Sequence, residues 1–207
     1  MRRSTFPLAF LLAGCAGTPP PAPAPEPAAQ RQFWRQIATA HDRARLRGWR
    51  EAFVQALREA RAGGFGSQVD AEGMLLQPDL PGGEAQEVLP PGTYACRVVK
   101  LGGDILPFVS YPKFRCSVMS DGVGGRLFVK KTGSQRPMGT LYPSRPGREV
   151  FLGTLQLGDE RAGMIYGRDR QRDLAAWVER IGPARWRMIF PRPAFESTLD
   201  VIELVPA

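Results

Sequence analysis

Lys131-Thr132-Gly133-Ser134-Gln135-Arg136 is the densest polar cluster in the chain. An ammonium, hydroxyls, an amide and a guanidinium within six residues are donors suited to an anion or a carbonyl oxygen. Lys-Thr-Gly together with Ser110-Tyr111-Pro112-Lys113 also spells two fragments of a serine acyl-transfer site. Their setting excludes that chemistry: the Ser-x-x-Lys of such sites opens a helix, whereas Pro112 sits in a strand pattern, and no Ser-Asp-Asn lies between the two. Asp159 and Glu160 are adjacent carboxylates, the pair that acid/base work requires. Neighbours in a turn point apart, however, and Arg161 is at hand to pair with them. His41 is the only imidazole, with no nucleophile nearby. No His, Cys, Asp or Glu spacing fits zinc or calcium, and no Gly-rich phosphate loop links a strand to a helix. The residues therefore nominate no catalytic group, no metal and no cofactor; Lys131, Ser134, Gln135 and Arg136 are the candidate binding set.

The strongest functional statement lies at the other end of the chain. Arg2 and Arg3, the apolar run Phe6 to Leu12 and then Leu12-Ala13-Gly14-Cys15 have the architecture of a secretory signal, and the run is too short to span a bilayer. Its end resembles the lipobox of bacterial lipoproteins, which implies that residues 1–14 are removed and that Cys15 carries a diacylglyceryl group and an acyl chain. Residues 15–31 follow as a Pro/Ala-rich tether biased to polyproline II, long enough to hold a domain about 30 to 40 Å from its anchor. Ala16 is not the aspartate of an inner-membrane retention signal, so the expected location is the periplasmic face of the outer membrane.

The chain has 207 residues, 43% of them hydrophobic and 23% charged, which is enough for one globular core. Its net charge of +8 is carried almost wholly by arginine, since Lys100, Lys113, Lys130 and Lys131 are the only lysines. An exported protein rarely meets nucleic acid, so anionic lipid or glycan is the partner such guanidinium forks suggest. Residues 32–64 carry a helical period in Phe33, Ile37, Leu46, Trp49, Phe53, Leu57 and Ala60. Asp42 reads as the N-cap and Gly63-Gly64 as the stop, with a bend possible at Gly48. The polar face holds Arg43, Arg45, Arg47, Arg50, Arg58 and Arg61; Arg43, Arg47, Arg50 and Arg58 are the candidate headgroup contacts. Residues 65–91 read as loop around the apolar Met74-Leu75-Leu76.

From residue 92 to 207, short β-branched and aromatic runs alternate with Gly, Pro and Asp turns. The spacing predicts strands at Thr93–Leu101, Val109–Met119, Arg126–Lys131, Met138–Tyr142, Arg148–Leu157, Gly163–Gly167, Ala175–Ile181, Arg185–Phe190 and Leu199–Val205. The expected fold is mainly β (α+β): an N-terminal amphipathic helix, plugging or flanking one end, and an antiparallel meander of about eight strands that closes, or nearly closes, into a small barrel and so removes its edges. With Cys15 lipidated, Cys96 and Cys116 remain as a pair in an oxidising compartment. Setting Cys96 opposite Cys116 places Tyr94 against Val118 and Val98 against Phe114 on one face, and carries Leu127 and Val129 onto the same face. A disulfide there closes a loop of about 20 residues, worth about 3 kcal/mol. Trp49, Trp177 and Trp186 read as core or rim aromatics.

Several of these stretches recur together in one family. Cys96-Arg97, Lys100-Leu101-Gly102, Phe114-Arg115-Cys116, Lys131 to Arg136, Phe151-Leu152-Gly153, Leu157-Gly158-Asp159-Glu160, Tyr166-Gly167, Glu179-Arg180-Ile181-Gly182 and Arg185-Trp186-Arg187 resemble the uncharacterised Gram-negative envelope lipoproteins grouped as domain of unknown function 4893. The resemblance covers Asp42 to Pro206 and implies one exported domain without a known activity. The expected role is a non-catalytic binding or accessory module tethered to the envelope membrane. The alternatives are an envelope hydrolase using Asp159, Glu160 or Lys131, and a barrel-type periplasmic protease inhibitor, for which the proline-rich tether is poorly suited.

Overall fold

The computed structural model describes residues 33–80, 89–103, 106–120 and 125–207. The signal-like segment, Cys15, the tether and residues 121–124 of the expected hairpin turn lie outside these. Nine antiparallel strands follow one another: β1 Gly92–Leu101, β2 Phe108–Ser110, β3 Phe114–Ser120, β4 Arg126–Lys130, β5 Gln135–Arg145, β6 Arg148–Leu157, β7 Asp173–Gly182, β8 Arg185–Pro191 and β9 Leu199–Pro206. β9 returns to β1, from Tyr94↔Pro206 to Leu101↔Leu199, so eight strands close into a barrel. β2 is the extra strand. It pairs with the second half of β1, and Tyr111-Pro112-Lys113 separates it from β3 where a single strand was expected, because Pro112 has no N–H for the ladder.

Closure sorts every strand by parity. Inward-facing Phe128, Phe151 and Phe190 pack edge to face at 5.8 and 5.7 Å, with Tyr94, Trp186 and Met188 beside them. Gly139 and Gly153 face each other across β5 and β6 beneath the Phe151 ring. A Cβ on Gly153 would lie 2.6 Å from the Phe151 ring and 2.2 Å from the Met138 carbonyl, so only glycine lets the two strands and the ring coexist.

The helices cover the outside of the wall and plug neither end. They are α1 Trp34–Ile37, α2 Ala40–Arg47, α3 Trp49–Ala62 and α4 Gly66–Ala71, followed by a 3-10 turn at Gly73–Leu76. Gly48 divides the expected single helix in two. Thr39, not Asp42, is the N-cap; its hydroxyl accepts from the Asp42 amide and donates to the Asp42 carboxylate, while the Thr39 amide donates to the Tyr166 hydroxyl. Phe53, Ala56, Leu57 and Ala60 of α3 pack on outward-facing Val99, Ile189 and Val201. Trp34 and Leu46 pack on Val150, Leu152 and Ala175. β6 is thus buried on both faces, which is why Val150-Phe151-Leu152 reads as a continuous apolar run and not an alternating one.

Arginines seal this outer seam. Arg187 is fully buried, donating to Glu179 and to the carbonyls of Met74, Leu75 and Gln77. Arg148 lies between the rings of Trp49 and Trp177, 4.2 and 4.5 Å from their centroids, and pairs with Glu179. Arg45, expected on the solvated face, is buried against Asp42 and the Asp173 carbonyl. These three arginines are therefore cement for the helical layer.

The disulfide joins Cys96 and Cys116, with Cα atoms 5.9 Å apart. The register differs from the simplest pairing by two residues: Tyr94 faces Cys116 and Cys96 faces Phe114. Slippage by two keeps every side chain on its expected face, so the cysteines meet diagonally. In β4 the difference is one residue, and the faces invert. Cys116 faces Lys130 and Val118 faces Phe128, which turns Phe128 and Lys130 inward and leaves Leu127 and Val129 half-buried. Leu127-Phe128-Val129 has no polar residue to declare the alternation, and the bulkiest side chain takes the core. Gly163–Gly167, expected as a strand, lies in the long β6–β7 connection.

Candidate binding cavity at the barrel mouth

The interior is filled toward one end of the barrel and hollow toward the other. At the filled end Leu89 caps the core, Glu149 accepts its amide, Arg126 pairs with Glu149, and the Tyr94 hydroxyl donates to the Pro90 carbonyl. At the other end a cavity of about 310 Å³ opens between the last residues of β1, β4, β6 and β8 and the first of β5, β7 and β9. Leu155, Leu174, Phe190 and Ile202 line its apolar depth, and Phe195 and Tyr111 its rim.

Two lysines face into this cavity, and their surroundings differ. The Lys100 ammonium lies 3.1 Å from Asp200 and 3.3 Å from Glu196. Burial opposes its charge, but the two carboxylates outweigh burial and hold the pKa above the ordinary lysine value. Burial pushes Asp200 up, against the opposing pull of Lys100 and of the Ser197 hydroxyl that donates to it. Lys130 sits 3.6 Å from the centre of the Phe114 ring and donates to the carbonyls of Thr132 and Gln135 at 2.8 and 2.9 Å. Among the described residues no carboxylate pairs with it. Burial, then repulsion from Arg136 and Lys100, lowers its pKa to about 8. The turn after β4 wraps this ammonium: Gly133 has φ +90°, and a Cβ there would lie 2.8 Å from Lys130 Nζ and 2.9 Å from the Phe114 ring.

Of the candidate binding set, Ser134 and Gln135 line the cavity, and Gln135 reaches Glu196 across the mouth at 3.3 Å. Lys131 is exposed and does not line the cavity; Lys130 holds the inward position, as the one-residue change of register dictates. Arg136 is turned outward onto the carbonyls of Gly133, Gly158 and Glu160. Lys100, Lys130 and Asp200 were not nominated from the residues. The signal lay in the strand parity, since Lys100 stands four residues beyond Cys96 and Asp200 two before Ile202, on the same face.

The remaining candidates are dispersed. Asp159 is exposed, and Glu160 is held at a pKa of about 2 by Arg172, which donates to its carboxylate, and by the Leu157 amide. Arg43 donates to the carbonyls of Arg35 and Ala38, Arg50 pairs with Asp79, and Arg47 and Arg58 are exposed. His41 is half-buried beside the α2 cap, its pKa lowered by burial and by Arg45. A second depression of about 770 Å³ adjoins the cavity and shares Lys100, Tyr111 and Glu196; its Glu59 and Thr198 satisfy each other. Among the described residues no cluster of His, Cys, Asp and Glu could hold a metal, and no helix is long and apolar enough to cross a membrane.

Residues 34–204 match the model of a family described as a domain of unknown function (DUF4893). No curated protein and no solved structure matches the chain.

Proposed function

We propose, for a chain that belongs to the DUF4893 family, that the barrel is a non-catalytic small-molecule binding module carried on a lipid anchor in the bacterial envelope. The observation that carries this reading is the mouth cavity: an apolar pocket with a few convergent polar groups, in a barrel whose other end is filled by the aromatic core. The anchoring part rests on Leu12-Ala13-Gly14-Cys15 and the Pro/Ala tether, and an intramolecular disulfide suits an oxidising compartment. Three chains on Cys15 hold a protein on a bilayer without any contact from its domain. The outer membrane, seen from the periplasm, is the expected surface because Ala16 follows the cysteine. An anionic lipid or glycan touching Arg47 and Arg58 is a secondary partner, since these guanidinium groups are exposed. A hydrolase reading finds little support: Glu160 is engaged by Arg172, and Asp159 is exposed beside it.

Two experiments test the proposal. Cys15→Ser should abolish labelling by radioactive palmitate and release the protein from the membrane fraction, and labelling that persists refutes the anchor. Native mass spectrometry of the full chain exposed to an envelope extract should reveal an adduct of a few hundred daltons at most. Its absence, with the protein folded, refutes the binding role.

A further inference from the structure

The geometry points to a specific ligand class for the mouth cavity: a compact organic acid whose carboxylate seats against Lys130 and whose apolar body lies on Leu155, Leu174 and Phe190. This deepens the binding role proposed above and depends on it.

Three observations carry the inference. Lys130 is 3% exposed, yet among the described residues the charge it bears is met by the dipoles of two carbonyls and the face of Phe114, and by no carboxylate. Carbonyl dipoles and a ring quadrupole solvate a cation without cancelling it, so a buried positive charge remains for an incoming anion to neutralise. The neighbouring lysine offers the contrast: Lys100 has Asp200 and Glu196, so among the described residues the cavity holds one ammonium compensated by carboxylates and one that is not. The size of the space then limits the body of the ligand. At about 310 Å³ the cavity stands at the lower edge of the roughly 300 to 1,000 Å³ common for ligand sites, which suits a compact acid and not a whole phospholipid. Apolar side chains make up its depth, so a purely polar anion such as phosphate would leave them unmatched.

The charged groups around Lys130 are Lys100 on β1, Asp200 on β9 and Glu196 in the β8–β9 connection, which line the same cavity, and Arg136 on β5, which is turned outward but still repels the ammonium. Arg136 and Lys100 both favour the arrival of an anion; Glu196 and Asp200 are already engaged by Lys100. With the Lys130 pKa near 8, carboxylate binding should be strongest below that pH and weaken above it.

The test is a titration of the full chain in phosphatidylcholine nanodiscs with sodium hexanoate and with hexanamide, its neutral analogue, followed by ligand-detected NMR against empty nanodiscs. At pH 6.5 hexanoate should bind at least about tenfold more tightly than hexanamide, as a charge-assisted hydrogen bond in a desolvated site requires. Raising the pH to 9.5 on the unaltered protein should remove most of that preference and leave hexanamide unchanged. Lys130→Met should bring hexanoate to the affinity of hexanamide, whereas Lys131→Met should change neither. Equal affinity of the two probes at pH 6.5 overturns the acid assignment while leaving a binding mouth. No saturable binding of either probe overturns the binding mouth as well. Vesicles of anionic phosphatidylglycerol that compete with hexanoate at Lys130 would overturn the compact-ligand assignment in favour of a lipid headgroup.

Discussion

Replacing Arg187 with methionine should be among the most damaging single changes to this domain, though it touches neither the barrel interior nor the cavity. Methionine keeps most of the apolar stem and removes the fork that donates to Glu179 and to the carbonyls of Met74, Leu75 and Gln77. Breaking a buried ion pair by removing one partner costs about 3 to 5 kcal/mol. Glu179 retains Arg148, 3.0 Å away, which moves this contribution to the low end, about 3 kcal/mol. The Leu75 carbonyl is then orphaned in the interior at about 1 kcal/mol or more, while those of Met74 and Gln77 can recover water. The sum is about 4 kcal/mol, a large share of the roughly 5 to 15 that hold a domain together. Arg187→Lys keeps the charge and loses the fork, so it should cost about half as much. Urea unfolding followed by tryptophan fluorescence measures both, and hydrogen exchange should show Gly73–Leu76 losing protection first. A loss below about 1 kcal/mol for the methionine variant, or a lysine variant no more stable than it, would refute the claim that this guanidinium clamps the helical layer to the wall.

Three further outcomes are expected. Gly153→Ala drives a methyl into the Met138 carbonyl and the Phe151 ring, and should cost about 3 kcal/mol in thermal or urea unfolding. The double change Cys96→Ala/Cys116→Ala removes a link between residues 20 apart and should lower stability by about 3 kcal/mol, the same loss that dithiothreitol produces in the unaltered protein. Lys130 titrates near 8 when folded against 10.5 in the unfolded chain, so between those values the unfolded state binds the extra proton. Stability should therefore rise with pH across that window, by about 3 kcal/mol from this group, and the rise should vanish in Lys130→Met; a slope identical in both proteins would count against a buried, uncompensated ammonium.

Where a strand had one buried face, or an apolar run bounded by turns, its residues declared it: Arg148–Leu157 was delimited to the residue, and β7, β8 and β9 to within two at each end. Closure of the meander followed from the cost of exposed edges. Positions governed by tertiary choice were not legible. Leu127-Phe128-Val129 is apolar throughout, so nothing local selected the inward residue, and the same ambiguity hid Lys130 behind Lys131. Met164-Ile165-Tyr166 looked like a strand, yet Tyr166 is committed to Asp42 and Thr39 through its hydroxyl, so it tethers a connection to the helical layer. Arg45, Arg148 and Arg187 carry the composition of a solvated surface, and only the packing of helices on the wall buries them.

The seam between β1 and β9 has a bearing on how the protein is made. It joins the first and last strands of the domain, partners about a hundred residues apart, and contacts so distant in the chain form late. Until the last eight residues that form strand have been synthesised and released, β1 and β8 are edges with unpaired amides and carbonyls, and α3 lacks Val201, part of the wall it packs on. A chain cut anywhere before Leu199 is then not a smaller version of the domain but a pair of sticky strands seeking another copy. The final strand thus doubles as a test of the fold, passed only by molecules translated through β9.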